Sequence, residues 1–219
     1  MGEGTKTAMQ KGYMIVCDGS NGAGKTTIIK AIEAHLVSRG REIVVTREPG
    51  GTPVGEKIRE ILLNPDTPEM CNTTELMLFA AARAQHLREK ITPAILSGKI
   101  VISDRFDAAT ISFQHYARGL PLDLINQLNA IALDGFKPDI NIILDLDPAI
   151  GIERIHARGE GLDRMEQEQL EFLQKARNGY LEQAAKEPKR FVVIDASQPL
   201  VDVISDVIKV VEDLVYSPE

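Results

Sequence analysis

Five short apolar segments without polar alternation recur along the chain and predict buried β-strands. They cover residues 13–17, 43–46, 100–103, 140–146 and 191–194. Continuous aliphatic blocks of this length are typical of strands in a parallel sheet, because helices cover both faces of such a sheet. The pattern therefore predicts a sheet of five parallel strands.

Segments in which apolar residues have helical spacing separate these strands. The predicted helices cover residues 26–38, 56–63, 73–91, 124–133, 149–156, 165–185 and 201–215. Gly40 and Pro65 stand where the first two helices should end. Strands that alternate with helices predict an α/β fold, in which a doubly wound sheet lies between two layers of helices, making three layers in all.

Composition and charge narrow the class of protein. Of 219 residues, 43% are hydrophobic, which is ordinary for a globular protein. The formal net charge of −7 argues against binding of nucleic acid or of a membrane surface through a basic face. Cys17 and Cys71 lack a paired spacing, which argues against a disulfide scaffold or a zinc ribbon. No apolar segment is long enough to span a membrane. We therefore expect a cytoplasmic protein.

The start of the chain differs in character from the rest. Residues 1–10 lack the apolar segment of a signal peptide. We expect a flexible leader over residues 1–11 and a single domain over residues 12–219, because no repeat or linker divides the remainder.

The segment after the first predicted strand carries the strongest chemical signal. Residues 19–26, here called the phosphate loop, match G-x-x-x-x-G-K-[ST] between a strand and a helix. Glycines let several N–H groups point at phosphate oxygens, and the helix N-terminus adds its positive end. We expect Lys25 to contact the β- and γ-phosphates of a nucleoside triphosphate and Thr26 to hold Mg²⁺. The predicted nucleotide-binding residues are Gly19, Ser20, Asn21, Gly22, Ala23, Gly24, Lys25, Thr26 and Thr27.

Charged residues also follow the second and third predicted strands. Arg47 precedes a Pro-Gly-Gly turn, where it could clamp a phosphate or simply be solvated. Asp104 ends the third strand in the position of a metal-binding carboxylate, and Arg105 beside it could hold a second phosphate. These residues predict a phosphate-rich site at the carboxyl ends of the strands.

Two further segments bear on this site. Phe79 and Arg83 lie four residues apart on one helix face, where they could stack on and hydrogen-bond a planar base. The alternative places Phe79 in the core and Arg83 in solvent. Residues 154–164, here called the lid segment, contain Arg154, Arg158 and Arg164 among acids and glycines. Such a segment could close over charge and exclude water, or could be an exposed connection.

In their order and spacing, these motifs resemble the thymidylate kinase (dTMP kinase) family of P-loop nucleoside-monophosphate kinases. The most specific match is T-R-E-P-G-G-T at residues 46–52. It is followed by F-A-A-A-R-A-Q at 79–85, D-R-F at 104–106, F-Q at 113–114 and L-D-R at 162–164. The resemblance extends from about residue 12 to residue 215.

The resemblance implies a P-loop NTPase fold, ATP and dTMP as substrates, Mg²⁺ as cofactor, and a homodimer. It implies that Lys25, Arg105, Arg158 and Arg164 are catalytic and that Thr26 and Asp104 bind the metal. Gly22 stands where some members have a loop arginine, which resembles the bacterial subtype with lid arginines. The implied dTMP-binding residues are Arg47 and Arg105 on the phosphate, Phe79 and Arg83 on thymine, Thr110 and Gln114 as further polar contacts, and Phe113 near the sugar C2′.

Several positions depart from the family pattern. Asn21 replaces the usual Asp or Glu, and Phe106 replaces the usual Tyr. These differences keep a second hypothesis open, a kinase for another pyrimidine nucleoside monophosphate. A third hypothesis is a P-loop ATPase or switch without an acceptor, although the N-K-x-D segment of GTPase switches is not found in the sequence.

Overall fold

The five predicted strands form one parallel sheet. The structure, a computed structural model, describes residues 10–157 and 161–217. The strands lie side by side in the order β2-β3-β1-β4-β5, and every neighbouring pair is parallel. This arrangement confirms the predicted α/β fold with a doubly wound sheet. The strands are β1 (Tyr13–Gly19), β2 (Ile43–Arg47), β3 (Ile100–Asp104), β4 (Ile140–Asp145) and β5 (Phe191–Asp195).

Helices follow the strands along the chain. Two helices contain widened π-helical turns, Leu87–Ile91 between α3 and α4, and Ile111–Ala117 directly after α5. The helices are α1 (Lys25–Ser38), α2 (Pro53–Leu63), α3 (Asn72–His86), α4 (Thr92–Leu96), α5 (Asp107–Thr110), α6 (Leu122–Leu133), α7 (Pro148–His156), α8 (Leu170–Lys186) and α9 (Leu200–Tyr216).

The structure differs from the predicted helices in two places. The sequence pattern predicts no helix over residues 107–117, because a π-helical turn does not follow the 3.6-residue spacing. The helix predicted from residue 165 begins at Leu170 instead. The Asp163 carboxylate accepts the N–H groups of Met165 and Glu166 and thereby holds this stretch in a turn.

Both faces of the sheet are buried. Ile15 and Cys17 of β1 pack with α1 and α9 on one face, whereas Met14 and Val16 belong to the core on the other face. Successive strand residues point to opposite faces, so a strand buried on both sides needs an unbroken apolar segment. In the described residues, no helix is both long and apolar enough to cross a membrane.

The sheet brings the carboxyl ends of three strands together. Asp104 at the end of β3 lies in register with Arg47 of β2 on one side and with Cys17 of β1 on the other. The phosphate loop follows β1, the middle strand of the sheet. From β1 the sheet extends in both directions, with β3 and β2 on one side and β4 and β5 on the other. Open α/β sheets bind ligands at such a switch point.

A core leucine tests this packing. Leu36 of α1 is fully buried and Leu96 of α4 is 72% exposed. We expect Leu36→Ala to lower the free energy of unfolding by about 2–5 kcal/mol, because it leaves a cavity. Leu96→Ala should change it by no more than about 0.5 kcal/mol. Urea denaturation followed by circular dichroism measures both, and equal losses would contradict the described core.

Candidate functional site

The phosphate loop turns sharply between β1 and α1. Gly22 and Gly24 have φ angles of 76° and 89°, in the left-handed region that favours glycine. A side chain at Gly22 would also collide with the backbone of Gly151 in α7. Lys25 Nζ donates to the carbonyl oxygen of Ser20 at 3.1 Å, across the loop. The N–H groups at the start of a helix form its positive end, so the loop is suited to bind an anion.

A cleft of about 420 Å³ adjoins this loop and brings most of the predicted site residues together. The predicted residues at the strand ends and on the helix face thus line one shared cleft. The predicted residues that line the cleft are Asn21, Gly22, Gly24, Lys25, Thr26, Arg47, Phe79, Arg83, Asp104, Arg105, Thr110, Phe113 and Gln114.

The other predicted residues lie elsewhere. Gly19, Ser20, Ala23 and Thr27 shape the loop and its helix without lining the cleft. Arg158 lies outside the described residues.

Arg164 does not line the cleft, contrary to expectation. Its guanidinium donates to the Glu75 carboxylate and, at 2.8 Å, to the carbonyl oxygen of Leu62. The physical reason is that Glu75 is buried, with 1% exposure, and a buried carboxylate requires cationic or hydrogen-bonding partners.

The lining of the cleft is electropositive although the chain is acidic. In the described part of the chain, six cationic and four acidic side chains line it. Arg59 and Glu166 lie outside the sequence motifs. The cations are Lys25, Arg47, Arg59, Arg83, Arg105 and Arg154, and the acids are Glu48, Asp104, Asp163 and Glu166.

A buried ion cluster lies beneath the phosphate loop. The Tyr180 hydroxyl donates to Asp18 at 2.8 Å and accepts from Arg105 at 2.9 Å, so it bridges the two. Burial raises the pKa of Asp18 to about 6, against the effect of Arg105. Burial and the charge of Arg105 lower the pKa of Lys25 to about 8. A bound phosphate would favour the charged lysine, because it would place further negative charge beside the ammonium group.

Arg105 has an unusual backbone conformation. Its φ angle is 70°, in the left-handed region that non-glycine residues rarely adopt. Its guanidinium also donates to Asn21 Oδ1 and stacks 5.0 Å from the Phe113 ring centroid. These contacts fix the guanidinium between the phosphate loop and the helix that carries Phe113.

Arg83 is buried in a polar network, rather than solvated. It donates to Glu48 and Asn129 at 2.9 Å, to the Phe106 carbonyl oxygen at 2.9 Å and to Thr110 at 2.8 Å. An arginine side chain has five N–H donors. One N–H on Nη1 therefore has no partner among the described residues, and Arg83 lines the cleft.

Glu48 and His86 extend the hydrogen-bond network of Arg83. His86 Nδ1 lies 3.0 Å from Glu48 Oε1, and His86 Nε2 lies 2.7 Å from Thr46 Oγ1. Glu48 belongs to the T-R-E-P motif, which is the one sequence signal for its importance. His86 and Asn129 give no such signal, because their partners are distant in sequence.

The Arg47 side chain is fixed less firmly by its contacts than that of Arg83. It pairs with Glu56 at 2.9 Å, and its side chain is 54% exposed. An exposed ion pair of this kind contributes little stability. Arg47 can therefore turn from Glu56 to an incoming phosphate at small cost.

Two oxygen groups in the cleft suit a magnesium ion. Asp104 Oδ1 is buried and has no partner among the described residues, and Thr26 is an exposed hydroxyl at the start of α1. Within the described residues, no group of three or more His, Cys, Asp or Glu could hold a metal. Mg²⁺ is commonly held by one or two protein oxygens together with water and substrate phosphates. The residues present thus fit this ion.

The parallel sheet, the phosphate loop at its switch point and the electropositive cleft together define a nucleotide-binding protein of the P-loop class. Residues 17–208 match the family model for thymidylate kinase. A thymidylate kinase of Geobacillus sp. (strain WCH70) is 47% identical over 204 residues, covering 93% of this chain and 97% of the relative.

Other bacterial relatives agree. The thymidylate kinase of Hahella chejuensis is 47% identical over 195 residues, covering 89% of this chain and 93% of the relative. That of Pelotomaculum thermopropionicum is 46% identical over 204 residues, covering 93% and 94%. The chain belongs to the thymidylate kinase family.

Two cleft arginines that differ strongly in burial test the described networks without any ligand. We expect Arg83→Met to lower the free energy of unfolding by about 3–5 kcal/mol, because it leaves Glu48 buried without its cation. Arg47→Met should cost less than about 1 kcal/mol, since its pair with Glu56 is exposed. Guanidinium chloride denaturation measures both changes. A larger loss for Arg47→Met than for Arg83→Met would contradict the described burial.

Proposed function

We propose that this chain transfers the γ-phosphoryl group of ATP to the 5′-phosphate of dTMP, giving dTDP and ADP, with Mg²⁺ as cofactor. One observation carries the proposal. The phosphate loop, Phe79 and Arg83 line the same cleft, and Arg47 and Arg105 line it as well. Membership of the thymidylate kinase family supports the same reaction.

The donor side is formed by the phosphate loop. Its N–H groups and Lys25 would bind the β- and γ-phosphates of ATP. Thr26 and Asp104 would hold Mg²⁺, which supplies positive charge next to the transferred group. Arg154 of α7 donates to the Gly22 carbonyl oxygen at 3.2 Å, so it adds a further cation beside the loop.

The acceptor side offers a matched set of polar groups for thymine. Phe79 would stack on the base, and the remaining N–H of Arg83 would donate to its O4. Gln114 Oε1 is buried without a partner in the described residues, and it would accept the N3–H of thymine. Cytosine has an amino group and a lone pair at these positions, so both contacts would be lost. Thr110 adds a hydroxyl to the same wall, and Phe113 would crowd a ribose hydroxyl at C2′.

Catalysis in this proposal is positioning and charge neutralisation. The attacking phosphate oxygen is already anionic, so no strong general base is required. Arg47 and Arg105 would hold the acceptor phosphate, and Lys25 and Arg158 would surround the transferred group. Closure of the lid segment would exclude water and so prevent hydrolysis of ATP.

We also propose a cytoplasmic homodimer, as the family resemblance implies. Large apolar side chains on two packed helices support an interface there. Val54 and Ile61 of α2 are each 49% exposed, and Met77 of α3 is 54% exposed.

A substrate panel tests the proposed reaction. With ATP and Mg²⁺, a coupled ADP-release assay should give high turnover with dTMP and a kcat/KM for dUMP that is lower by about 10–200-fold. dCMP and UMP should be poor substrates. Comparable activity with dCMP would favour the other pyrimidine kinase, and ATP hydrolysis without dTDP would favour a P-loop ATPase or switch.

A lid arginine tests the proposed charge neutralisation. Arg158→Ala should lower kcat by about 10²–10³-fold, because a preorganised cation would be lost from the transition state. The Kd for dTMP should change by less than about threefold, since Arg158 is not assigned to the acceptor. Arg39→Ala, a surface change beside Glu212, is the control and should leave both unchanged. Turnover of Arg158→Ala within threefold of the unaltered chain would remove Arg158 from the mechanism.

A further inference from the structure

Glu75, in the first turn of α3, is a buried carboxylate that the proposed reaction does not use. Its side chain is 1% exposed. Gln114 Nε2 donates to Glu75 Oε1 at 2.5 Å. Arg118 donates through Nε to Glu75 Oε1 at 2.7 Å and through Nη2 to Glu75 Oε2 at 3.1 Å. Arg164 Nη2 donates to Oε2. One carboxylate therefore holds two arginines and the amide of a cleft residue.

Glu75 can only accept hydrogen bonds in this setting. Burial raises the pKa of Glu75, but hydrogen bonds from Arg118 and Gln114 and the charge of Arg118 outweigh this effect and leave the pKa below its ordinary value. The ionised carboxylate has no proton to donate. The end of the Gln114 amide that faces Glu75 must therefore be its NH₂ group.

The orientation of the Gln114 amide fixes what the cleft offers to a base. A glutamine amide that is free to turn can present either its oxygen or its NH₂ group at similar cost. Here the NH₂ group is held by Glu75, and the opposite atom, Oε1, is buried without a partner among the described residues. Gln114 lines the cleft, and Oε1 is its one polar side-chain atom without a partner among the described residues, so the group that it can offer a ligand is an acceptor.

We propose that Glu75 is a positioning residue that sets base specificity, because it holds Gln114 with its oxygen toward the base and so selects a base with an N–H at that point. Thymine N3 carries such an N–H, whereas cytosine N3 carries a lone pair. This inference rests on the proposed phosphorylation of dTMP and assigns its discrimination to a residue outside the cleft lining.

A purely structural role for Glu75 is the alternative. The same carboxylate binds Arg164 of the lid segment, and Arg118 also contacts Glu168 at 2.6 Å and stacks 4.7 Å from the Phe172 ring centroid. Loss of the contacts between Glu75 and these two arginines would weaken catalysis with every acceptor equally. Loss of the amide orientation would instead change the ratio between acceptors, so the two roles have different kinetic signatures.

The decisive variant is Glu75→Gln, which can both donate and accept and so allows Gln114 to turn. The measured quantity is the ratio of kcat/KM for dTMP to kcat/KM for dCMP in the full-length enzyme with ATP and Mg²⁺. We expect this ratio to fall about tenfold or more, because an amide in either orientation can satisfy the new partner. The KM for dTMP should rise more than its kcat falls.

Two controls isolate the contact with Gln114. Glu168→Gln makes the same chemical change on the other partner of Arg118 and does not touch Gln114, so the ratio should stay within about threefold. Gln114→Met removes the amide and should also lower the ratio. Adding Glu75→Gln to Gln114→Met should lower the ratio no further, because the two residues act through one contact.

Three outcomes would overturn the inference. The first is an equal loss for both acceptors in Glu75→Gln, and the second is a loss of ratio that adds to that of Gln114→Met. The third concerns Glu75→Asp, which keeps an acceptor-only carboxylate and serves if Glu75→Gln does not fold. Its ratio should stay within about threefold, and a ratio as low as that of Gln114→Met would refute the role of Glu75. Absence of dTDP from the unaltered chain would instead refute the proposed function itself.

Discussion

A buried carboxylate costs several kcal/mol unless cations surround it, and this requirement organises the walls of the cleft. In the described residues, four buried acids each pair with at least one arginine, and for three of these acids a bound arginine or another bound residue lines the cleft. Under the proposed function these three acids act indirectly, because each of them holds a residue that is assigned to the nucleotide. The pairs are Asp18 with Arg105, Glu48 with Arg83, and Glu75 with Arg118 and Arg164.

The strands and the phosphate loop could be predicted because their signals are local. An aliphatic block defines each strand, and the loop residues are consecutive in sequence. The buried pairs could not be predicted, since their members come from distant elements: Tyr180 and Asp18 are 162 positions apart. The helix containing Phe113 and Gln114 was missed for another reason, because its π-helical turn departs from ordinary helical spacing. The catalytic role expected of Arg164 follows from the family resemblance, which carries no information about its contact with Glu75.

The contact between Asn21 and Arg105 indicates what an uncharged residue at position 21 does in the cleft. The amide oxygen of Asn21 accepts a hydrogen bond from the Arg105 guanidinium without adding negative charge. An acid at this position would form an ion pair with Arg105 and compete with a phosphate for it. The asparagine therefore leaves more of the positive charge of Arg105 available to an anionic ligand. This effect is compatible with a phosphate acceptor and does not by itself select the base.

The left-handed backbone of Arg105 implies a conflict between thermostability and activity at one position. A left-handed non-glycine residue costs about 1–2 kcal/mol, and glycine or asparagine would relieve part of this cost. Selection for heat resistance alone would thus favour losing the guanidinium that the proposed function assigns to the acceptor phosphate. A laboratory search for more stable variants should therefore retain an activity screen at residue 105.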